Sequence, residues 1–181
     1  MWYEEGTIYW WSEDETPFLN EDASDMFSKI ANLSEIEGLK KFDCLNANTF
    51  SNMFVSTNIK TLENLKYWST SNVEYMDGLF GSAKSLVTSK GIETWDVSKV
   101  TDMKFTFRGC SNLNSLSGIE NWNVYSVKDF IQMFSKNSNL NDANAINNWH
   151  IQNIATFDYM FYQTPTHPEF MKIEGTFIPT S

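Results

Sequence analysis

Bulky apolar residues recur along this chain with a period of about 27 residues. Two aromatic columns carry the period, with 26 or 27 positions between successive members: Phe42, Trp68, Trp95, Trp122 and Trp149 in the first, and Phe27, Phe54, Phe80, Phe107, Phe134 and Phe161 in the second. Because a single irregular core has no reason to space its aromatic residues so evenly, the columns indicate a repeat protein. Stacked repeats form a long surface with few deep clefts, which favours binding over catalysis.

The segment between each Trp and the following Phe carries apolar residues at offsets of three and four. Val73, Met76 and Phe80 show this pattern, which places one apolar stripe on a single helical face. Ser71 and Glu74 form a Ser-x-x-Glu capping pattern at the start of the same segment. The spacing therefore predicts a short helix after each Trp.

After each Phe, the apolar residues come at every third position and lead to the next Trp. Leu113, Leu116, Ile119 and Trp122 form one such ladder. A step of three predicts an arc of turn and a very short strand, which adds one rung per repeat to a parallel sheet, as in leucine-rich repeats. The predicted fold is an α/β solenoid that is leucine-rich-repeat-like, with about five to six coils of short strand plus short helix and an N-terminal hairpin-like cap.

The two ends of the chain break the period. The first carries Trp2, Tyr3, Tyr9, Trp10 and Trp11 around a polar turn, which predicts a cap over residues 1–24. An atypical terminal unit is expected because an open repeat end exposes apolar surface and strand edge. Residues 25–174 form the predicted repeat array, and residues 175–181 form a C-terminal tail or the stub of a truncated array. We expect one structural domain overall.

One repeat carries a recognisable motif. Residues 95–103 read WDVSKVTDM, and residues 107–113 read FRGCSNL. The motif resembles the repeat of the BspA-like leucine-rich-repeat proteins, and the resemblance extends over about residues 25–174, although neighbouring copies drift from the pattern. It implies a bacterial surface or secreted protein that is used for adhesion or for contact with host molecules, without catalytic residues. Because such a family shares a scaffold more than a ligand, this implication is an analogy from fold.

The net charge of −10 is concentrated at the start of the chain, because the first 28 residues hold eight acidic residues and no Lys or Arg. Direct binding to nucleic acid and to anionic membranes is not expected, since both need a basic patch. No apolar run is long enough to insert into a membrane. The acidic residues either keep the cap soluble or steer a basic partner towards it.

The residues that usually carry chemistry are sparse. Cys44 and Cys110 fall in different columns two repeats apart, so we expect no disulfide between them and interpret both as small core residues. His150 and His167 are the only histidines; His150 is interpreted as a polar turn residue and His167 as a replacement for a ladder Leu in the last repeat, and neither is expected to be catalytic. The sequence lacks the zinc, phosphate-loop and nucleophile motifs, and we predict no enzyme activity, no cofactor and no metal.

The candidate binding residues are exposed positions between the buried ladder residues. They form a predicted row along the repeats, next to Lys41: Lys40, Lys66, Tyr67, Glu93, Thr94, Glu120, Asn121, Asn147 and Asn148. The row changes from basic to acidic to neutral, which fits a protein or glycan partner better than a uniform polyanion. An ordinary solvated face is the alternative interpretation.

Three functional hypotheses follow. The leading one is a non-enzymatic, adhesin-like binding module at the cell surface or secreted, whose signal and anchor would lie outside this chain. The second is an intracellular, cytoplasmic acidic protein that acts as a decoy or inhibitor of a basic partner. The third is a structural spacer domain. The identity of the ligand is beyond what the sequence predicts.

Overall fold

The fold is known from a computed structural model, which describes residues 2–4, 7–9, 16–36, 38–152 and 154–170. Its strands are β1 (Trp2–Glu4), β2 (Thr7–Tyr9) and β3 (Glu35–Ile36), and its 3₁₀ helices are Leu39–Lys41, Glu63–Tyr67 and Asn144–Ile146. Strands β1 and β2 pair antiparallel, and β2 pairs parallel with β3. Turns and irregular segments make up most of the remaining described chain. The predicted tail, residues 175–181, lies outside the described residues.

The predicted α/β solenoid is wrong, because the described residues contain no α-helix and the repeats carry almost no regular strand. Where a helix was predicted, each repeat has a six-residue turn with two left-handed residues, at φ between 53° and 73°. The pairs are Asp25 and Lys29, Asn52 and Ser56, Gly78 and Ser82, Phe105 and Gly109, Gln132 and Lys136, and Tyr159 and Gln163. An α-helix needs φ near −63° throughout. Two left-handed residues that lie four positions apart therefore prevent a helix in each repeat.

The backbone hydrogen bonds explain why these turns carry the apolar spacing that is typical of a helix. The N–H of Met53 donates to the carbonyl of Phe50 within the same turn, at 3.1 Å. The N–H of Phe54 donates instead to the carbonyl of Leu79 in the next repeat, at 2.9 Å. Because bonds within a repeat alternate with bonds between repeats, apolar residues at offsets of three and four still reach one buried side.

Neighbouring repeats are joined by isolated parallel bridges rather than by continuous strands. One column of bridges runs through Asp22, Thr49, Tyr75, Asp102, Asp129 and Thr156, and a second runs through Thr88, Ser115 and Asp142. Equivalent positions of successive repeats therefore lie side by side, although each bridge is a single residue wide.

The core lies between the six-residue turns and the apolar ladders, and the two aromatic columns fill it. Neighbouring Phe rings of the second column stack with centroids 5.2–5.7 Å apart. Trp68, Trp95, Trp122 and Trp149 also stack, with each pair of neighbouring rings 6.4 Å apart and tilted by no more than 9°. Each indole N–H donates to a carbonyl of the preceding repeat, at Leu39, Leu65, Ile92 and Ile119 in turn.

The two cysteines are free thiols within this core. Burial raises the pKa of the Cys44 thiol, and the neighbouring Asp43 carboxylate raises it further. Burial raises the pKa of the Cys110 thiol to about 12. The Cys110 thiol donates to the Phe80 carbonyl, with sulfur and oxygen 3.1 Å apart. Both residues therefore belong to the packing of the repeats, as the sequence predicted.

Candidate functional site

Eight of the nine predicted binding residues are exposed, and Asn147 is half-buried. They follow the corner of each repeat that precedes the first aromatic column. The residues do not act alike, however, because several of them are hydrogen-bonded to their own scaffold. The structure divides the row into residues that hold the turns together and residues whose polar groups face solvent.

Glu93 and Glu120 stabilise their own turns. A carboxylate oxygen of Glu93 accepts a hydrogen bond from the N–H of Gly91 at 2.8 Å, and Glu120 accepts one from Gly118 at 2.5 Å. Hydrogen bonds to an ionised acceptor are stronger than neutral ones. The two acidic residues in the middle of the predicted row are therefore explained by the backbone N–H groups to which they bond.

Thr94 and Asn147 also make scaffold contacts. The hydroxyl of Thr94 donates to the Lys66 carbonyl of the preceding repeat at 2.9 Å. The side-chain oxygen of Asn147 accepts from the N–H of Glu169 at 2.9 Å. Asn121 and Asn148 are exposed, and no side-chain hydrogen bond joins either of them to another described residue.

Lys40 and Tyr67, at the N-terminal end of the row, border one groove with a volume of about 630 Å³. We call it the Lys–Tyr groove and define it by six of its lining residues, Thr16, Lys40, Lys41, Asp43, Tyr67 and Ser69. The 3₁₀ helix Leu39–Lys41 places both lysines at its rim, and the end of the 3₁₀ helix Glu63–Tyr67 places the tyrosine. Pockets of this size accommodate small ligands or the side groups of larger ones.

Lys66 contacts the Tyr67 ring, although it is not among the residues that line the groove. Its ammonium lies 5.2 Å from the centroid of the Tyr67 ring, within the range of a cation–π contact. The same ammonium lies 3.7 Å from a carboxylate oxygen of Glu63. Both side chains of this ion pair are about half exposed, so the pair contributes little to stability. Lys66 therefore helps to orient the ring and brings a third lysine close to the groove.

A comparison with sequence families identifies the repeats. The family described as "Mycoplasma protein of unknown function, DUF285" matches residues 20–89 and 85–170, which together span more than half of the chain. The chain belongs to the DUF285 family. The comparison with curated proteins and the comparison with solved structures each found no match.

A second groove of the DUF285 chain, of about 470 Å³, lies over the corner that follows the first aromatic column. Its polar side chains bond to each other across repeats. The Asn48 amide donates to the Glu21 carboxylate at 2.9 Å, and the Lys99 ammonium donates to the Asn72 side-chain oxygen at 2.7 Å. These four side chains are therefore already bonded within the scaffold.

The six-residue turns of the later repeats carry exposed and half-buried side chains that the apolar spacing did not predict as a surface. The Arg108 guanidinium lies 5.8 Å from the centroid of the Phe105 ring, and its Nε donates to the Gln132 side-chain oxygen at 2.8 Å. Tyr159 and Tyr162 meet edge to face with centroids 5.6 Å apart. The helical pattern that the sequence suggested would have spread these residues around a cylinder, so only the left-handed turns reveal the surface.

Asp96 and Lys104 have shifted pKa values because each is hydrogen-bonded to a residue close by in the sequence. A hydrogen bond from the Ser98 side chain, with a second from its backbone N–H, lowers the pKa of Asp96. The hydrogen bond to Asp102, with the two charged atoms 2.8 Å apart, raises the pKa of Lys104. Across the described ranges, no group of three or more His, Cys, Asp or Glu side chains could hold a metal ion.

The two histidines lie apart from these grooves. His150 is exposed, and the His167 ring shares a hydrogen bond with the adjacent Pro168 carbonyl, at 2.8 Å from Nδ1. Within the part of the chain that the structure describes, no helix has the length and apolar character needed to cross a membrane.

Proposed function

We propose that this DUF285 chain is a non-enzymatic, adhesin-like binding module of the bacterial surface or secreted space, which holds a protein or glycan partner at the Lys–Tyr groove. The observation that carries the proposal is the position of Lys40 and Tyr67 on a common groove. Their charged and aromatic groups are exposed there, whereas Glu93, Glu120 and Thr94 are bonded to the scaffold. The residues that we propose to bind the partner are therefore those at the N-terminal end of the predicted row.

The chemistry of the groove supports recognition of a partner. Tyr67 is 59% exposed, and tyrosine supplies a large amphipathic contact area at a low cost in side-chain entropy. Stacked repeats hold such a residue on a rigid base, because the neighbouring Trp68 is buried in the ring column. The resemblance of residues 95–103 and 107–113 to BspA-like repeats adds support by analogy with surface proteins.

A binding screen tests the proposal. The purified chain is presented to extracellular matrix proteins and to a glycan array, and each hit is measured again with the double variant Lys40→Ala/Tyr67→Ala. The control is Asn121→Ala/Asn148→Ala, which changes two exposed members of the same row outside the groove. Saturable binding that is lost only in the groove variant is the expected result.

Two outcomes would overturn the proposal. The first is the absence of any saturable matrix or glycan ligand, together with salt-sensitive binding to a basic intracellular protein, which favours the acidic decoy. The second is equal loss of binding in the groove and control variants, which removes the Lys–Tyr groove as the binding surface.

A further inference from the structure

We propose that the Lys–Tyr groove recognises the carboxylate of an acidic carbohydrate, such as a chain that contains uronic or sialic acid. This inference deepens the proposed function and rests on it. Lys40 and Lys41 are both exposed at the rim, and neither ammonium forms an ion pair with another described residue. Two positive charges that are not paired with any described residue favour an anionic ligand at this groove.

The positive charge is a local property of the groove rather than of the chain, whose net charge is −10. In the later repeats, Glu93 and Glu120 stand at the position of Lys40, and Thr94 and Asn121 stand at the position of Lys41. Among the described residues that line the groove, the one carboxylate is that of Asp43, which accepts a hydrogen bond from the N–H of Leu45 at 2.9 Å. That bond joins the Asp43 side chain to its own turn, and no ion pair joins it to Lys40 or Lys41.

A peptide ligand fits the groove less well. A peptide that adds a strand needs free backbone groups, but the N–H of Asp43 already donates to the Pro17 carbonyl and the N–H of Lys41 to the Gly38 carbonyl, each at 2.9 Å. Phosphorylated peptides are usually held by arginine forks. The only arginine in the sequence is Arg108, which is bonded to Gln132.

A sugar fits the remaining groups. The exposed Tyr67 ring offers an apolar face to the C–H groups of a pyranose ring. Thr16 and Ser69, whose side chains carry hydroxyls, also line the groove. Lysine ammonium groups act as point charges, which suits a single carboxylate on a ring whose orientation is fixed by stacking. The groove therefore combines a ring contact, hydroxyl partners and two cations.

The test uses the full chain and matched probes. Binding is measured for a hyaluronan oligosaccharide, for the same oligosaccharide with its carboxylates methyl-esterified, and for 3′-sialyllactose against lactose. We expect each acidic probe to bind at least about tenfold more tightly than its neutral form, and the difference to shrink as salt is added. Lys40→Gln/Lys41→Gln should abolish the difference, while Lys60→Gln/Lys90→Gln, which removes two exposed lysines outside the groove, should preserve it.

The outcomes separate this inference from the proposed function. If neutral and acidic probes bind equally and Tyr67→Ala weakens both, the chain is a binding module but the carboxylate assignment is wrong. If an octaglutamate peptide binds more tightly than every glycan, the ligand is a peptide. If no acidic or neutral glycan binds, the inference fails, and the screen against matrix proteins then decides the proposed function. Unfolding midpoints for each variant must match the parent chain.

Discussion

The indole N–H of Trp122 donates to the carbonyl of Ile92, 30 residues earlier, at 3.1 Å. The same side chain stacks between Trp95 and Trp149 with ring centroids 6.4 Å away on either side. Packing and polar satisfaction therefore act together at one residue. Each tryptophan in the column fills the core of its own repeat and bonds to the repeat before it.

Replacing Trp122 tests this double role. We expect Trp122→Ala to lower the free energy of unfolding by about 3–5 kcal/mol, because it leaves a large cavity in the aromatic column. Trp122→Phe keeps a ring but removes one of two hydrogen bonds to the Ile92 carbonyl, which still accepts from the Trp95 N–H at 3.3 Å, so the lost bond should cost about 0.5–1.5 kcal/mol. Urea denaturation measures both, with Asn121→Ala as a surface control. An unfolding midpoint that does not move in Trp122→Ala would show that the column does not hold the repeats together.

The Trp and Phe columns separate the part of the fold that the sequence predicts from the part that it does not. Regular spacing of Trp and Phe predicts buried, stacked rings, because only equivalent positions of stacked units meet so evenly. The same spacing does not reveal the backbone between them. Val73, Met76 and Phe80 satisfy a helical offset, yet Gly78 among them has a φ of 64°, and the chain turns instead. Aromatic residues such as Phe105 in left-handed positions give no warning in the sequence.

The binding site was only partly predictable for a related reason. Exposure follows from the repeat position, so Lys40 and Tyr67 could be identified as surface residues. The bond from Gly91 to Glu93 depends on a local turn, and the groove depends on Thr16 and Ser69, which lie far from Lys40 in the sequence. Such contacts arise from the exact path of each turn, which apolar periodicity does not encode.

Two glycines provide a test of the turns. Gly109 has a φ of 73°, and a Cβ there would have its nearest neighbour, Ser82 Oγ, at 3.4 Å. Gly109→Ala should therefore cost about 1–2 kcal/mol of left-handed strain alone. Gly91 has a φ of 105°, and a Cβ there would lie 2.3 Å from the carbonyl carbon of Leu62. Gly91→Ala adds overpacking of about 1–3 kcal/mol to the strain, so it should be the more destabilising variant in thermal unfolding. Equal effects would contradict the close backbone approach at Gly91.

The buried thiol of Cys110 predicts a loss of stability in alkali. Its pKa is raised from 9.0 to about 12 in the folded protein, so the unfolded chain loses this proton first. Stability from this group is complete below pH 9 and falls as the pH rises from 9 towards 12. Ala83 occupies the equivalent position of the preceding repeat, so alanine is the natural replacement for Cys110. In Cys110→Ala, the free energy of unfolding should decline less steeply over that pH range. Denaturation curves at several pH values measure the slope, and identical slopes would show that this thiol ionises alike in both states.

Asn137 is the least satisfied polar residue of the described core. It is fully buried, and neither its side-chain oxygen nor its side-chain nitrogen has a hydrogen-bond partner. At the same position of the next repeat, the hydroxyl of Thr164 donates to the Phe134 carbonyl at 2.7 Å. In Asn137→Thr, the introduced hydroxyl should reach the equivalent Phe107 carbonyl, and removal of the unpaired amide should raise the free energy of unfolding by about 1–2 kcal/mol.

The matched control for Asn137 is Asn148→Thr, because Asn148 is exposed to solvent. We expect that change to stay within about 0.5 kcal/mol of the parent chain. Urea denaturation of both variants, followed by tryptophan fluorescence, reports on the buried column directly. A less stable Asn137→Thr protein would mean that the buried amide contributes to the packing between these repeats more than its missing hydrogen bonds cost.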